Sequence, residues 1–205
     1  MSSPTWQFVA MPLFLNLKDR KLSYKDVLTY VAIRSFYCDD EPYCWPSYDK
    51  IMERSGLKRS FLSKSIVRLE KAGVLSVEHS NRKGSCNRYH FDRLTYYHRI
   101  PYEIFQASDL SCVEKAMLLC LRQFFMNVIF IWTGNVNEAA THLGLTYDTI
   151  YPILKNLKEK GYIESAITRN RPHTKWLRLS DKIDWTYDYT KPLKRSVKAP
   201  LTIKL

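Results

Sequence analysis

Arg59, Ser60, Ser63, Lys64 and Val67 recur at helical spacing on the side opposite Leu62, Ile66 and Leu69. Their types suit a surface that reads a fixed array of donors, acceptors and methyl groups. An arginine forks onto two acceptors such as guanine O6 and N7, serine donates or accepts, valine meets a thymine methyl, and Lys64 or Arg68 reaches phosphate. A second cationic group, Arg82, Lys83 and Arg88, surrounds a short polar run, Asn81 to Asn87, in which Gly84 lets the chain bend. Such a loop lies along a phosphate backbone or sets an arginine in a narrow minor groove. The ordinary alternatives are a solvated helix face and a polar hairpin tip. The two groups lie close in sequence, which favours one double-stranded DNA surface over two accidents.

Charge supports that partner. The chain has 205 residues with 32 Lys and Arg against 20 Asp and Glu, a formal +12, and an excess of this sign favours a polyanion. It is unevenly spread: residues 1 to 98 carry +6, residues 99 to 190 +1, and residues 191 to 205 +5. Other chemistry finds little support. Cys38, Cys44, Cys86, Cys112 and Cys120 are odd in number and include no CxxC pair, so a disulfide framework is not expected. His79, His90, His98, His142 and His173 follow no zinc spacing, and no cofactor or metal is expected. Phosphate-loop, deaminase and serine-hydrolase patterns do not occur. The fourteen tyrosines lack the histidine cluster or arginine pocket that a strand-nicking nucleophile needs, so no enzyme is expected. The most apolar stretch, Ala116 to Trp132, is interrupted by Arg122, Gln123 and Asn127, too often for a membrane span. The expected location is the cytoplasm, associated with the nucleoid, with no membrane partner.

The elements that must hold these side chains are legible. Ser23 with Asp26 forms a capping box opening a helix through Val27, Leu28, Val31, Ala32 and Phe36. Ser47 caps a second helix, Ser55-Gly56 turns, and a third runs from about Lys58 to Ala72, stopped by Gly73 in a left-handed conformation. The period then becomes alternating through Leu75 and Val77, and again through Tyr89 and Phe91, which predicts a hairpin. Three helices and a basic hairpin make a winged helix-turn-helix.

Advancing the sequence by 88 positions places Ser23 on Ser111, Gly56 on Gly144, Leu57 on Leu145, Leu69 on Leu157 and Gly73 on Gly161. Only four residues are identical between 47 to 75 and 135 to 163, so the repeat is one of pattern. Its second copy predicts a capping box at Ser111 and Glu114, a cap at Asn135, a third helix from Thr146 to Lys160, and a hairpin through Ile163, Ile167, Leu177 and Leu179. Val128 to Trp132 reads as a short third strand. The reading is thus mainly α with small β hairpins: winged domains at 1–98 and 99–190, each burying its own core, and a flexible basic tail at 191–205.

The second copy departs from the first where contact matters. Its outward positions are Tyr147, Asp148, Tyr151, Pro152 and Lys155. Asp148 repels phosphate, and Pro152 removes a helical N–H, which predicts a kink or a locally altered helix. Arg169, Arg171 and Lys175 keep the second hairpin basic. Two readings stay open for this half: a weaker DNA contact using Tyr147, Tyr151 and Lys155, or a docking surface for a replication or transcription protein.

Cys44-Trp45-Pro46-Ser47, Gly56-Leu57, the run Leu69 to Leu75, the lead-in Met11-Pro12-Leu13, Leu22-Ser23, and Asn87-Arg88-Tyr89 resemble a family of winged helix-turn-helix domains. That family is common in plasmid and phage replication proteins and mobile-element regulators. The likeness spans roughly residues 9 to 91. It implies a replication initiator or transcriptional regulator that binds DNA. The tandem arrangement is similar to initiators that engage repeated origin sites through two winged helices. A monomer spanning adjacent half-sites, or a homodimer formed through Trp6 to Leu15, are both compatible with it.

Overall fold

The structure, a computed structural model, describes residues 8–14, 17–38, 41–82, 85–124, 131–132, 136–168 and 171–185. Lys83, Asn135, Arg169 and the tail at 191–205 lie outside the described residues, as do the side chains of Arg171 and Lys175.

After strand β1 (Phe8–Pro12), helix α1 (Tyr24–Arg34) begins at the expected capping box, with the Ser23 amide donating to Asp26 Oδ2 at 2.7 Å. Nearly all of α1 is buried, from Asp26 to Ile33, as expected for a helix with apolar or small residues around its circumference. Strand β2 (Tyr43–Cys44) follows, then α2 (Tyr48–Ser55), where Ser47 Oγ accepts from the Lys50 amide at 3.2 Å. Gly56, at φ 70°, turns the chain into α3 (Arg59–Lys71), a conformation in which a side chain is strained. Leu62, Ile66 and Leu69 are buried as predicted, and Gly73 at φ 67° ends the helix. Strands β3 (Ser76–Glu78) and β4 (Arg88–His90) form the hairpin, with β2 on the other edge of β4.

The chain continues through β5 (Tyr97–Pro101) and a short α4 (Glu103–Gln106) into α5 (Cys112–Leu121), opened by Ser111 and Glu114 as predicted and buried from Glu114 onward. Next come β6 (Ile131–Trp132), α6 (Val136–Leu143), α7 (Tyr147–Glu159), β7 (Ile163–Thr168) and β8 (Arg171–Leu179). The 88-residue offset carries α2 onto α6, α3 onto α7 and β2 onto β6 residue for residue. Sheet order is β2-β4-β3 in one half and β6-β8-β7 in the other. Cys44 faces Tyr89 where Trp132 faces Leu177. Helix α7 is continuous through Pro152. Pro152 has no N–H to donate to the Asp148 carbonyl, and both residues lie on the exposed side of the helix.

Three features lie beyond the sequence reading. Strand β2 lies between the first two helices, β1 pairs antiparallel with β5, and α1 packs against α5. The boundary anticipated at residue 98 falls inside β5, and one buried cluster runs from Val9 to Trp185 through both halves. Of the segment considered for dimer formation, Phe8–Pro12 pairs with β5.

Two buried polar devices fix this arrangement. Arg68 meets Asp26 through both oxygens, at 2.6 and 2.8 Å, tying α3 to the first turn of α1; the carboxylate is fully buried. That hydrogen-bonded pairing raises the Arg68 pKa above its ordinary value. In the other half, Glu114 Oε2 takes the Ser111 amide at 2.8 Å and Lys160 Nζ at 2.8 Å. Burial alone would raise the Glu114 carboxyl, but hydrogen bonds from Lys160 and Ser111 outweigh it and hold it below the usual glutamate value. Removing one partner of a buried pair costs about 3–5 kcal/mol. Arg68→Met is therefore expected to lower unfolding free energy by about that amount, measured by urea denaturation, and a change under about 1 kcal/mol contradicts the assignment.

His98, on β5, is buried, and its Nε2 has no hydrogen-bond partner. Burial, helped by the Arg122 guanidinium, pushes its pKa down to about 4. An unfolded histidine takes its proton near pH 6.5, so between that pH and about 4 the unfolded chain binds more protons and stability falls as pH falls. The slope from this group is about 1.4 kcal/mol per pH unit. His98→Leu is expected to flatten the stability curve over that interval in denaturation at stepped pH.

Candidate nucleic-acid interface

The α3 surface is built by opposition. Leu62, Ile66 and Leu69 bind one side of the helix into the core, so Arg59, Ser60, Ser63, Lys64 and Val67 are left exposed on the other. Val67 is 41% exposed, unusual for a valine beside a complete core. No side chain caps α3, in contrast to α1, α2 and α5, and exposed Lys58 stands at its N-cap. The positive end of the helix dipole and three cations, Lys58, Arg59 and Lys64, thus share one surface.

Arg59 is already oriented. It lies over the Tyr48 ring at 5.0 Å and reaches Asp49 at 3.3 Å, both on the first turn of α2. That ion pair is exposed, so it holds the guanidinium weakly and releases it to a stronger bidentate acceptor. Arg68 does not face this way. Expected at phosphate, it is bound to buried Asp26, and its role is to set how α3 lies on α1.

On the wing, Arg82 is exposed and lines an open hollow together with Arg88. The base of the loop is closed by Asn87, whose Oδ1 accepts from the Ser80 amide at 3.1 Å, and Ser80 Oγ accepts from the Arg82 amide at 3.3 Å. Arg88 stands over the Tyr43 ring at 5.0 Å and bridges to Glu78 at 3.2 Å. Lys83, expected at the tip, lies outside the described residues.

In the second half, Tyr147 and Tyr151 are stacked one turn apart, with ring centroids 5.2 Å apart and planes 20° apart, and are 46% and 49% exposed. Asp148 and Pro152 are exposed beside them. Lys155 is exposed and lies 3.8 Å from Glu159. Arg169 is outside the described residues, and only the backbone of Arg171 and Lys175 is described. Among the described residues no three His, Cys, Asp or Glu side chains converge as a metal set would, and no helix is long and apolar enough to cross a membrane.

Lys58, Tyr48 and Asp49 join this surface beyond the residues expected from the sequence. Lys58 was legible as the cation preceding a reading helix. The α2 pair became visible only once the turn at Gly56 brought α2 against α3.

Three helices, with the second and third joined by a left-handed glycine turn and the third exposed along one side, define a helix-turn-helix. Residues 20–75 match the family model of a helix-turn-helix domain. That span covers α1, α2 and α3, and it points to DNA as the ligand of the exposed α3 face. No curated protein matches the sequence.

Losing a bidentate base contact costs about 1–3 kcal/mol. Arg59→Ala is therefore expected to weaken binding to a selected duplex by about tenfold to a hundredfold, while the thermal midpoint stays within a degree or two. Arg68→Met should behave conversely, falling in stability while the folded fraction binds normally. Equal losses of binding in both variants at full folding would return Arg68 to the interface.

Proposed function

We propose that this chain is a non-enzymatic, sequence-selective binder of double-stranded DNA, built from two tandem winged helix-turn-helix units that meet at β5 and share one core, with a basic tail at 191–205. The observation that carries the reading is the α3 face: Arg59, Ser60, Ser63, Lys64 and Val67, exposed together opposite a complete core. Supporting the tandem arrangement are the coincidence of elements at the 88-residue offset and the shared sheet order. Specificity resides in α3, with the Arg82, Lys83 and Arg88 wing and the tail adding contacts to the backbone. The resemblance of residues 9 to 91 to replication and mobile-element proteins favours replication initiation or transcriptional control of a plasmid, phage or integrated element, acting at the nucleoid.

A second reading has an observation of its own. The exposed Tyr147–Tyr151 stack is the kind of aromatic ridge that protein interfaces use, which favours an adaptor whose second half captures a replication or transcription protein. Tyr147→Ala with Tyr151→Ala separates the two: lost partner capture with intact DNA affinity favours the adaptor.

Band shifts across salt test the leading reading. A protein making about six to ten phosphate contacts loses about a thousandfold or more in affinity between 50 and 200 mM salt. A flat salt dependence rejects DNA reading through this surface.

A further inference from the structure

The two halves are related by more than a repeat along the chain. Strands β1 and β5 pair antiparallel with Ala10 opposite Arg99 and Met11 opposite His98. The alternation of burial superposes the two strands at an offset of 89, one more than in the helices, so that buried Val9 and Met11 correspond to buried His98 and Ile100. Each strand therefore pairs with its own copy, and the centre of the pairing falls on Ala10 and its equivalent Arg99. An antiparallel pair of equivalent strands has a local twofold axis through that centre.

Contacts remote from the strands obey the same axis. The Leu17 amide donates to the His142 carbonyl at 3.2 Å. The equivalents of these residues are Phe105 and Arg54, and the Arg54 guanidinium lies 5.6 Å from the Phe105 ring centroid. Helices α1 and α5, equivalent to one another, pack together. Reciprocal contacts of this kind are the mark of an isologous interface between two subunits. Here both sides belong to one chain.

Resting on the DNA-reading function above, we propose that α3 and α7 address two half-sites of one duplex in inverted orientation and with unlike sequences, a guanine-bearing half under α3 and a cytosine- and thymine-bearing half under α7. The orientation follows from the axis. It exchanges α3 with α7, so a duplex that meets both meets them in opposite strand sense, as a dimeric reader meets its palindrome. A direct repeat would need the halves to be related by translation.

The unlike sequences follow from substitutions between equivalent positions. Arg59, Ser60, Ser63, Lys64 and Val67 correspond to Tyr147, Asp148, Tyr151, Pro152 and Lys155. The guanine fork is absent from α7. In its first turn stands Asp148, exposed, an acceptor that pairs with cytosine N4 and is repelled by the O6 and N7 acceptors of guanine. Beside it, the Tyr147 and Tyr151 rings and the Pro152 ring present an apolar ridge of the kind that meets thymine methyl groups. The near-neutral charge of the second half is consistent with a head that depends on the first for electrostatic attraction.

Selection of bound duplexes from a random pool by the full chain tests this. The expected product is an inverted pair of unequal half-sites about one helical turn apart, roughly 10 base pairs centre to centre, with guanine in one half and cytosine with thymine in the other. Asp148→Asn is expected to exchange that cytosine for adenine, which asparagine reads through N6 and N7, at one position of one half only. Because Asp148, Tyr147 and Tyr151 are exposed, the thermal midpoint of each variant verifies that the fold is kept. Inserting 5 base pairs between the halves should weaken binding at least tenfold. A direct pair, a single half-site, or an Asp148→Asn profile identical to the wild type overturns the inference while leaving selective DNA binding standing. Unchanged half-sites in Tyr147→Ala with Tyr151→Ala, accompanied by loss of a protein partner, also overturn it and make α7 a docking face. Absence of any sequence preference overturns both this and the proposed function.

Discussion

One carboxylate near the start of α1 and one near the start of α5 tie those helices to α3 and to the C-terminal end of α7. Asp26 serves at once as the acidic member of a capping box and as the acceptor of Arg68, 42 residues away on α3. Glu114 does the same for Ser111 and Lys160. Apolar packing of Leu62, Ile66 and Leu69 decides which side of α3 is buried, but such packing tolerates sliding and rotation by small amounts. A bidentate bridge to a fully buried acid does not, because leaving that charge unpaired is costly. Burial of Leu62, Ile66 and Leu69 thus gives Arg59, Ser60, Ser63 and Lys64 their outward register, and the bridge stabilises that placement. The second half uses a different cation at the end of its reading helix to the same purpose, a convergence of geometry without identity of residues.

The next constraint is the burial of α1 and α5. Neither helix has a polar side broad enough to face water, and each finds its cover in the other as well as in its own half. The strand pair β1 and β5 closes the same seam from another direction. Arg54 adds a polar clasp, its guanidinium 4.1 Å from the Phe36 ring and 2.8 Å from Ser35 Oγ while also facing Tyr102 and Phe105. The relative placement of α3 and α7 is therefore set by the core itself, not by a linker.

Much of this was legible residue by residue. Ser23, Ser47 and Ser111 announced three helix starts, Gly56 and Gly73 two stops, and periodicity assigned the buried side of α3 and α7. These signals are local, and local interactions leave local traces. Strand β2 left almost none, being two residues long inside a turn-rich stretch. Its partner in the other half, β6, betrayed itself through β-branched and aromatic content, and the offset would have transferred that information backward. Long-range pairings were out of reach. Nothing around Arg68 distinguishes a cation bound to a buried acid from one awaiting phosphate, and nothing in Phe8 to Pro12 names β5 as its mate. The apolar circumference of α1 and α5 was the signal for a shared core, visible in the composition of Ala116 to Leu121 but read only as helix.

A twofold arrangement within one chain differs physically from a homodimer in one respect that matters for reading DNA. In a homodimer any substitution on the reading helix appears on both sides, so Asp148 in place of a serine would burden both half-sites with the same repulsion. Covalent duplication removes that coupling. In the proposed complex one half keeps the cations that would attract and fork onto guanine, while the other gives up charge for Asp148 and an aromatic ridge at no cost to the first. A symmetrical dimer also lies on its palindrome in two equivalent orientations, whereas unlike halves select one.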